Sequence, residues 1–357
     1  MFDGDLPIDQ AKALPSRYYF NRQVFQQEQA SIFRSHWQLA ARSEQLEEPG
    51  DFVTTTIAGE PLILLRDDQN SLRALSNVCR HRGARVECRA KGNAKRLRCR
   101  YHGWSYNLSG TLAGAPEFES VDHFKQEEKE LPEFPLTEWG PFVFVKLEPS
   151  DLTLESCLKP IEDQTPASMW DGLYFRGSRD YQMKCNWKVF VDNYLDGGYH
   201  IPTLHPELAK AVKLEGYKTD IYKWASLQKG PMTSNSTDPV ALVRQGEDAF
   251  YWWVFPNIMI NLYDGFMDVN VVTPIDETTS LCTFYYFFVE SVTVKTVEDS
   301  IKVAHRVQME DQDICEEVQQ GIQSHFYEHG PFAQREVGVY HFHRLIHSLG
   351  IRSEQRP

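Results

Sequence analysis

The spacing of apolar and polar residues divides the chain into three parts. In residues 1–45, apolar side chains such as Phe25, Ile32 and Trp37 recur at roughly helical spacing. From 46 to 148, short apolar runs are separated by turns rich in Gly, Pro and Asn, a pattern typical of β-strands. The sequence therefore predicts an N-terminal helical segment followed by a small all-β domain over 46–148.

Residues 149–357 mix strand and helix patterns. A helical pattern lies around 297–324, and two long β-rich runs precede it, YWWVFPNIMINLYDGFMDVNVVTPI and LCTFYYFFVE. We predict an α+β protein in which a larger domain of antiparallel sheet and helices follows the small β domain. The N-terminal segment is expected to pack on this larger domain.

The composition narrows the classes of protein that this chain could be. With 357 residues and 41% hydrophobic residues, it can bury a sizeable core over two domains. A net charge of -13 disfavours nucleic acid as a partner. The chain contains no apolar run of about 18 residues, so no membrane span is predicted. The opening MFDGDLPIDQ lacks the basic and apolar regions of a signal peptide, and a cytoplasmic enzyme is expected.

Two short Cys/His pairs provide the first candidate metal site. The sequences CRHRG and CRYHGW contain Cys79 with His81 and Cys99 with His102, and seventeen residues lie between His81 and Cys99. A usual zinc finger has both cysteines before both histidines, whereas each pair here contains one of each. This interleaving suits a Rieske [2Fe–2S] cluster, in which two thiolates hold one iron and two imidazoles hold the other. A four-coordinate zinc site is the alternative.

The segment between the first cysteine and the last histidine of this set is strongly basic. It contains nine Arg or Lys residues and a single acid, Glu87, although the whole chain is acidic. These residues are either solvated loop positions or a docking surface for an acidic electron-transfer protein, where charge would mainly raise the rate of encounter.

A second candidate centre contains His200 and His205. Five residues is not the spacing of one helix face, where positions i and i+4 are used. Pro202 disfavours helix at the residue before it, and Pro206 suits the first position of a new helix. We therefore expect one helix to end near His200 and another to begin near His205, so that the two imidazoles converge.

Two imidazoles and one carboxylate form the facial triad of non-haem Fe(II) oxygenases. The acidic helical run QMEDQDICEEVQ offers Asp311 and Asp313 for the carboxylate. Asp192 and Asp196 precede His200 by eight and four residues, which would place all three on one face of a helix. Two ordinary histidines are the alternative, but a cluster that delivers single electrons needs a destination.

With both motifs present, the sequence resembles the α subunits of Rieske non-haem iron oxygenases over nearly its whole length. Within that family it is most similar to choline monooxygenase and related quaternary-ammonium oxygenases, through DNYLDGGYHIP, FPNIMINLYDGFMDVN and EDQDICEEVQQGI. The resemblance implies a [2Fe–2S] cluster on the four Cys/His residues. It also implies a mononuclear Fe(II) on His200, His205 and Asp311, the aspartate of a Glu-Asp pair, with Asp313 as the alternative.

The sequence departs from the family at the acid that links the two metal sites between subunits. Many members have an acid three residues before the first histidine ligand, where this chain has Gly197. The bridging acid is therefore expected to be Asp192 or Asp196. Asn193 joins them as a candidate catalytic residue.

The resemblance also implies partners and a substrate. A homotrimer is expected, with electrons from an NAD(P)H-dependent reductase or a ferredoxin, because the chain has no dinucleotide-binding G-x-G-x-x-G of its own. The expected activity is O2-dependent hydroxylation of a small quaternary ammonium compound such as choline. Hydroxylation of an aromatic acid or another small aromatic is one alternative, and a non-catalytic Rieske electron-transfer protein is another.

Aromatic residues in one β-rich run are candidates for a substrate cage. Trp252, Trp253, Phe255 and Tyr263 could place ring faces against a trimethylammonium group. Alternate residues of a buried strand are also simply core, and the same rings would accept an arene.

Overall fold

The computed structural model describes residues 2–233 and 244–351, which form two compact units. Residues 29–154 form one unit. The other unit combines the residues up to 28 with those from 155 onward. Both contain antiparallel sheet, and the second adds helices, so the predicted α+β class is confirmed.

The first unit is built almost entirely from short strands. They form a five-stranded sheet in the order β5-β2-β3-β4-β9 and two three-stranded sheets, β6-β7-β8 and β1-β11-β10. The strands are β1 Gln38–Arg42, β2 Asp51–Ile57, β3 Glu60–Arg66, β4 Leu72–Ser76, β5 Lys91–Asn93, β6 Leu97–Arg98, β7 Ser105–Tyr106, β8 Leu112–Gly114, β9 Glu133–Phe134, β10 Leu136–Trp139 and β11 Phe142–Val145.

The N-terminal segment differs from its prediction. Helix α1 spans Arg22–Glu28 and a π-helical turn spans Gln29–Phe33, but helix was expected as far as residue 45. Residues Gln38–Arg42 instead pair antiparallel with β11, whose four residues are all buried. A tertiary strand partner therefore overrides the local helical spacing, as weak propensities allow. Residues after 28 lie in the first unit rather than with the larger domain.

The second unit is a seven-stranded antiparallel sheet with helices. Its strand order is β12-β18-β17-β16-β15-β14-β13, so each strand from β13 to β18 pairs with the next along the chain. The strands are β12 Leu173–Met183, β13 Lys218–Ile221, β14 Ala225–Pro231, β15 Asp248–Val254, β16 Ile258–Tyr263, β17 Phe266–Asp276 and β18 Thr279–Val289. The helices are α2 Leu154–Gln164, α3 Trp187–Tyr194, α4 Ile201–Leu204, α5 Leu208–Ala211, α6 Val294–Ile322 and α7 Val337–Ser348.

A buried ion pair joins α1 to α3 within this unit. Lys188 Nζ lies 2.6 Å from Glu28 Oε1, and both side chains are fully buried. The indole N–H of Trp187 donates to the other oxygen of Glu28 at 2.9 Å. Because an unpaired buried charge is costly, this arrangement specifies where the N-terminal helix docks.

None of the described helices is both long enough and apolar enough to span a bilayer. The 29-residue α6, the longest, carries acidic and basic residues along its length.

Candidate metal centres and substrate cavity

The two Cys/His loops of the first unit have the same backbone geometry. In each loop the cysteine N–H donates to the carbonyl five residues later, at 2.8 Å. A glycine four residues after each cysteine, Gly83 after Cys79 and Gly103 after Cys99, donates back to the cysteine carbonyl. Both glycines have φ of 75°, a left-handed conformation that other residues adopt only with strain. The backbone of the two loops thus has the same local geometry around Cys79 and Cys99.

The side chains of these loops converge. Cys79 and Cys99 are buried in the apolar core of the unit, and the rings of His81 and His102 are 4.6 Å apart between centroids. His81 stacks on the buried Trp104 at 5.0 Å. Its Nδ1 is buried without a hydrogen-bond partner in the described structure, which suits an atom that binds a metal.

The distances between these donor atoms help to distinguish a single zinc ion from a [2Fe–2S] cluster. In the described part of the chain, the one set of three donor atoms within 4.8 Å of one another belongs to the other unit. A single tetrahedral zinc would bring all four Cys/His donors within about 4 Å of one another. The wider set fits a two-iron cluster, which separates its thiolates from its imidazoles.

The basic residues of these loops are all exposed, whereas their single acid, Glu87, is paired with Arg89 at 2.7 Å. His102 is exposed as well, beside the exposed ring of Tyr101. The segment between Cys79 and His102 therefore presents an excess of positive charge to solvent. We call it the basic face: Arg80, Arg82, Arg85, Arg89, Lys91, Lys95, Arg96, Arg98 and Arg100.

In the second unit, the helix expected to reach His200 ends early. α3 stops at Tyr194, so Asp192, Asp196 and His200 do not share a helix face as predicted. The chain turns at Gly197, whose φ is 71° and where a Cβ would collide with a neighbouring backbone carbonyl. This turn breaks the helix and redirects the following residues.

The two histidines flank one short helix instead of joining two. His200 is the N-cap of α4 and His205 its C-cap. Pro202 lies in the first turn of α4, where its missing N–H is not needed. Pro206 does not start a helix, because α5 begins at Leu208. The convergence of the imidazoles was predicted, but it arises from this single turn.

Asp311 on α6 completes a compact set with these histidines. His205 Nε2 lies 2.9 Å, and His200 Nε2 4.0 Å, from Asp311 Oδ1. One donor atom from each of the three residues lies within 4.8 Å of the other two. Asp313, the alternative, is exposed. Two imidazoles and one carboxylate converging from α4 and α6 fit a mononuclear iron with open positions.

A carboxylate lies within hydrogen-bond distance of the Nδ1 atom of each imidazole. Asp196 Oδ2 accepts the backbone N–H of His200 and lies 2.7 Å from its Nδ1. Glu310 Oε2 lies 2.6 Å from His205 Nδ1. Such partners fix the tautomer, so that both Nε2 atoms are directed toward Asp311. Burial acts to lower the pKa of His205, but Asp311 and Glu310 outweigh it and raise that pKa.

The other two candidate catalytic residues have different surroundings. The Asn193 amide donates to Asp311 Oδ1 at 2.8 Å, which positions that carboxylate. Asp192 faces a separate cavity of about 300 Å³. There it accepts the Tyr19 hydroxyl at 2.6 Å and lies 3.0 Å from His343 Nε2.

A cavity of about 100 Å³ adjoins the His/His/Asp set. Tyrosine rings, amides and two charged side chains line it beside the triad: Tyr194, Tyr217, Tyr251, Tyr263, Gln228, Asn261, Asn270, Arg244 and Asp268. Both charged side chains are buried. The space suits a small molecule that carries charge.

Of the four predicted cage residues, Tyr263 lines this cavity, and the other three do not. The indole of Trp252 donates to Thr165 Oγ1, and that of Trp253 donates to the carbonyl of Pro256. Phe255 packs edge-on against Trp253. The prediction for these three is wrong because they belong to the apolar packing around the sheet.

Asp268 was missed by sequence reasoning. Its carboxylate accepts the Asn261 amide at 2.6 Å. Burial raises the pKa of Asp268 to about 6, against the opposing effects of Arg244 and of hydrogen bonds from Asn261 and Asn270. The available signal was polar residues alternating with apolar ones in strands that are otherwise buried, as in NLY and MDVNVV.

A β unit that fits a [2Fe–2S] cluster and an α+β unit with a His/His/Asp set define a two-centre iron oxygenase. Family models agree: one described as Rieske [2Fe-2S] domain matches residues 36–126, and one described as ring hydroxylating alpha subunit (catalytic domain) matches 170–349. The chain belongs to the Rieske non-haem iron oxygenases, whose cofactors are a [2Fe–2S] cluster and a mononuclear iron.

Individual relatives agree with this assignment. The chain is 34% identical to chloroplastic choline monooxygenase of Arabidopsis thaliana, over 97% of this chain and 85% of that protein. It is 29% identical to the carnitine monooxygenase oxygenase subunit of Escherichia coli (strain K12), over 94% and 93%. The quaternary ammonium Rieske monooxygenase CntA in complex with L-carnitine superposes with a TM-score of 0.85 at 27% identity, over 97% and 98%.

The resemblance to this family is therefore confirmed, and the protein is a Rieske non-haem iron monooxygenase. The alternative of a non-catalytic electron-transfer protein is wrong, because the chain contains the catalytic domain of the family as well as the cluster domain.

Proposed function

We propose that this protein hydroxylates a small quaternary ammonium compound, such as choline, with O2 and electrons from a partner. The observation that carries the proposal is the cavity beside His200, His205 and Asp311, which combines several tyrosine rings with the buried carboxylate of Asp268. A quaternary ammonium group has no N–H to donate, so ring faces and a carboxylate are the groups that can attract it. Relatives named for choline and carnitine oxidation support the same substrate class.

In this proposal, Cys79, His81, Cys99 and His102 hold the cluster, and His200, His205 and Asp311 hold the iron. The cluster supplies single electrons and the iron supplies the activation of O2 when these groups are bound. The surrounding residues position these ligands. Asp196 and Glu310 orient the imidazoles, and Asn193 holds the carboxylate through Oδ1. The buried lining of the cavity excludes bulk water around the substrate.

The proposal also includes partners. An NAD(P)H-dependent reductase or a ferredoxin would deliver electrons, and the basic face suits an acidic donor. We infer a homotrimer in which Asp196 or Asp192 links the cluster of one subunit to the iron of the next. A CntA structure described in terms of inter-subunit electron transfer supports this arrangement.

Hydroxylation of an aromatic acid or another small aromatic is the second candidate, since Phe284 and the tyrosines would contact an arene. The buried charges of Arg244 and Asp268 disfavour both, because a neutral ring would leave both side chains without a partner from the substrate and an aromatic acid would leave Asp268 without one.

A single-turnover experiment tests the proposal without the native donor. The iron-loaded protein is reduced chemically and pulsed with O2 in the presence of choline, carnitine, glycine betaine or simple aromatic acids, and products are identified by mass spectrometry. We expect oxidation of at least one quaternary ammonium compound and no hydroxylated arene. Oxidation of arenes alone would overturn the proposal.

The affinity for choline should depend on pH through Asp268. Its pKa of about 6 means that the carboxylate is charged at pH 7.5 and mostly protonated at pH 5. Loss of this charge should weaken choline binding by about 5- to 10-fold, as expected for one charge pair in a partly screened site. Isothermal titration calorimetry at the two pH values measures the change.

Asp268→Asn is the control, because it removes the titrating carboxylate and leaves the histidines of the cavity in place. This variant should bind choline weakly and with little change between pH 5 and 7.5. An unchanged pH dependence would assign the effect to another group. The charged or ionisable groups that influence the carboxylate are Arg244, which stays positive, and four groups with raised pKa values, which stay neutral: Tyr194, Tyr263, Tyr286 and Cys282.

A further inference from the structure

Arg244 places a positive charge in a cavity that is proposed to bind a cation. Its side chain lines the cavity beside the His/His/Asp set and is only 6% exposed. The guanidinium carbon lies 5.5 Å from the centre of the Tyr263 ring. A guanidinium keeps its charge at any accessible pH, so this residue cannot escape the cost of burial by losing a proton.

The residues that the structure describes do not use every hydrogen-bond donor of this arginine. Nη1 is buried and has no acceptor in the described residues. Asp268 in the same cavity offsets the charge of Arg244, but its carboxylate accepts hydrogen bonds from Asn261 and Asn270. Buried donors without an acceptor are rare in proteins, and at a binding site they commonly indicate the group that a ligand supplies.

The chemistry of a guanidinium identifies that group. Its planar fork matches a carboxylate, which can accept two parallel hydrogen bonds and carries the compensating charge. We propose that Arg244 binds a carboxylate of the substrate. The preferred substrate is then a betaine, a small molecule with both a quaternary ammonium group and a carboxylate. This inference rests on the proposed function and narrows its substrate class.

The charges of the cavity agree with a zwitterion. Tyr217, Tyr251 and Asp268 offer aromatic surface and a negative charge to the ammonium end, and Arg244 offers donors to the carboxylate end. Choline would bring a second positive charge near Arg244 and leave its donors without an acceptor. A site built to pair with a polar group discriminates strongly against an analogue that lacks that group.

The test compares ligands that differ only in the carboxylate. Binding of γ-butyrobetaine and of its methyl ester to the purified full-length protein is measured by isothermal titration calorimetry at pH 7.5. We expect the carboxylate form to bind about 10- to 100-fold more tightly, the range for a charge-assisted hydrogen bond in a buried site. Glycine betaine and choline form a second pair, with the same expected order.

Arg244→Leu should remove this preference. Affinity for γ-butyrobetaine should fall by about 10- to 100-fold, whereas affinity for the ester should change by less than about 3-fold. Arg244→Lys, which keeps the charge but not the fork, should retain part of the preference. Arg306→Leu, at an exposed position of α6, is the matched control and should behave like wild type.

Two results would overturn the inference. One is equal binding of the acid and the ester by the wild-type protein, which requires no variant and so does not depend on the folding of Arg244→Leu. The other is an equal loss for both ligands in a folded Arg244→Leu, which would indicate a structural role. In either case, oxidation of choline in the single-turnover experiment would leave the proposed function standing. Oxidation of arenes alone would instead remove the proposed function.

Discussion

Replacing Asp311 with alanine should remove the mononuclear iron and reduce turnover by more than about 1,000-fold, since changes that only touch the outer shell of a metal site already cost about 10- to 100-fold. The carboxylate lies 2.9 Å from His205 Nε2 and 4.0 Å from His200 Nε2, so its removal leaves two imidazoles without the third donor. It also supplies the negative charge that a divalent cation needs. The variant is expected to bind zinc and iron poorly.

The measurement is the iron content of the purified variant together with product formation in a single turnover. Asp313→Ala is the matched control, because Asp313 is an exposed aspartate two residues later on the same helix. The control should keep both its iron and its activity. The absorbance of the cluster should be unchanged in both variants, since its proposed ligands lie in the other unit. If Asp311→Ala retained iron and turnover, the assignment of the third ligand would be wrong.

Replacing His102 with cysteine should lower the reduction potential of the cluster by roughly 250 mV or more. Rieske clusters have potentials of about -150 to +300 mV, whereas clusters with four thiolates are near -400 mV. The substitution puts an anionic thiolate where a neutral imidazole stood, and the added charge favours the oxidised state. His102 is exposed, so the smaller side chain is tolerated without disturbing the core around Cys79 and Cys99.

A redox titration followed by visible absorbance and electron paramagnetic resonance measures this shift. Cys88→Ser tests whether cysteine chemistry elsewhere in the unit matters, because Cys88 is exposed and lies outside the two loops. That variant should have the wild-type spectrum and potential. A spectrum unaffected by His102→Cys would mean that the histidine is not a ligand of the cluster.

The class of this protein could be predicted from its sequence because most of the proposed ligands of each metal site lie close together in the chain. Each of the two loops has a cysteine, a histidine and a left-handed glycine within five residues, so CRHRG and CRYHGW are contiguous motifs. His200 and His205 lie on either side of one short helix. Closely spaced cysteines and histidines indicate a metal site even where the predicted secondary structure between them is wrong.

The details around the second site could not be predicted in the same way. The helix expected to continue to His200 ends at Tyr194 because Gly197 must turn against the backbone of a distant residue, Arg335. No pattern in the sequence assigns Glu310 a role beyond being next to the proposed ligand Asp311. Its contact with His205 Nδ1 depends on how α6 lies beside α4, which no local pattern specifies.

The residues that line the cavity were the hardest part of the site to predict from the sequence. A run of aromatic residues predicts buried rings, but it does not indicate which of them face a cavity and which face the core. Trp252 and Trp253 are core residues, while Tyr251 and Tyr263 line the cavity. Arg244 has no motif around it. Its importance lies in its burial, in a donor that has no acceptor among the described residues, and in its position in one cavity with Asp268.

The class of chemistry could be predicted from the sequence, since the four proposed cluster ligands and two of the three proposed iron ligands are close in the chain. The tertiary structure was needed to show that Asp311 joins the histidines, which carboxylates orient them, and which rings and buried charges line the cavity. Those properties depend on contacts between residues far apart in the chain, such as His205 with Glu310 and Arg244 with Tyr263. The strength of each contact is set by burial, which exists only once the chain is folded.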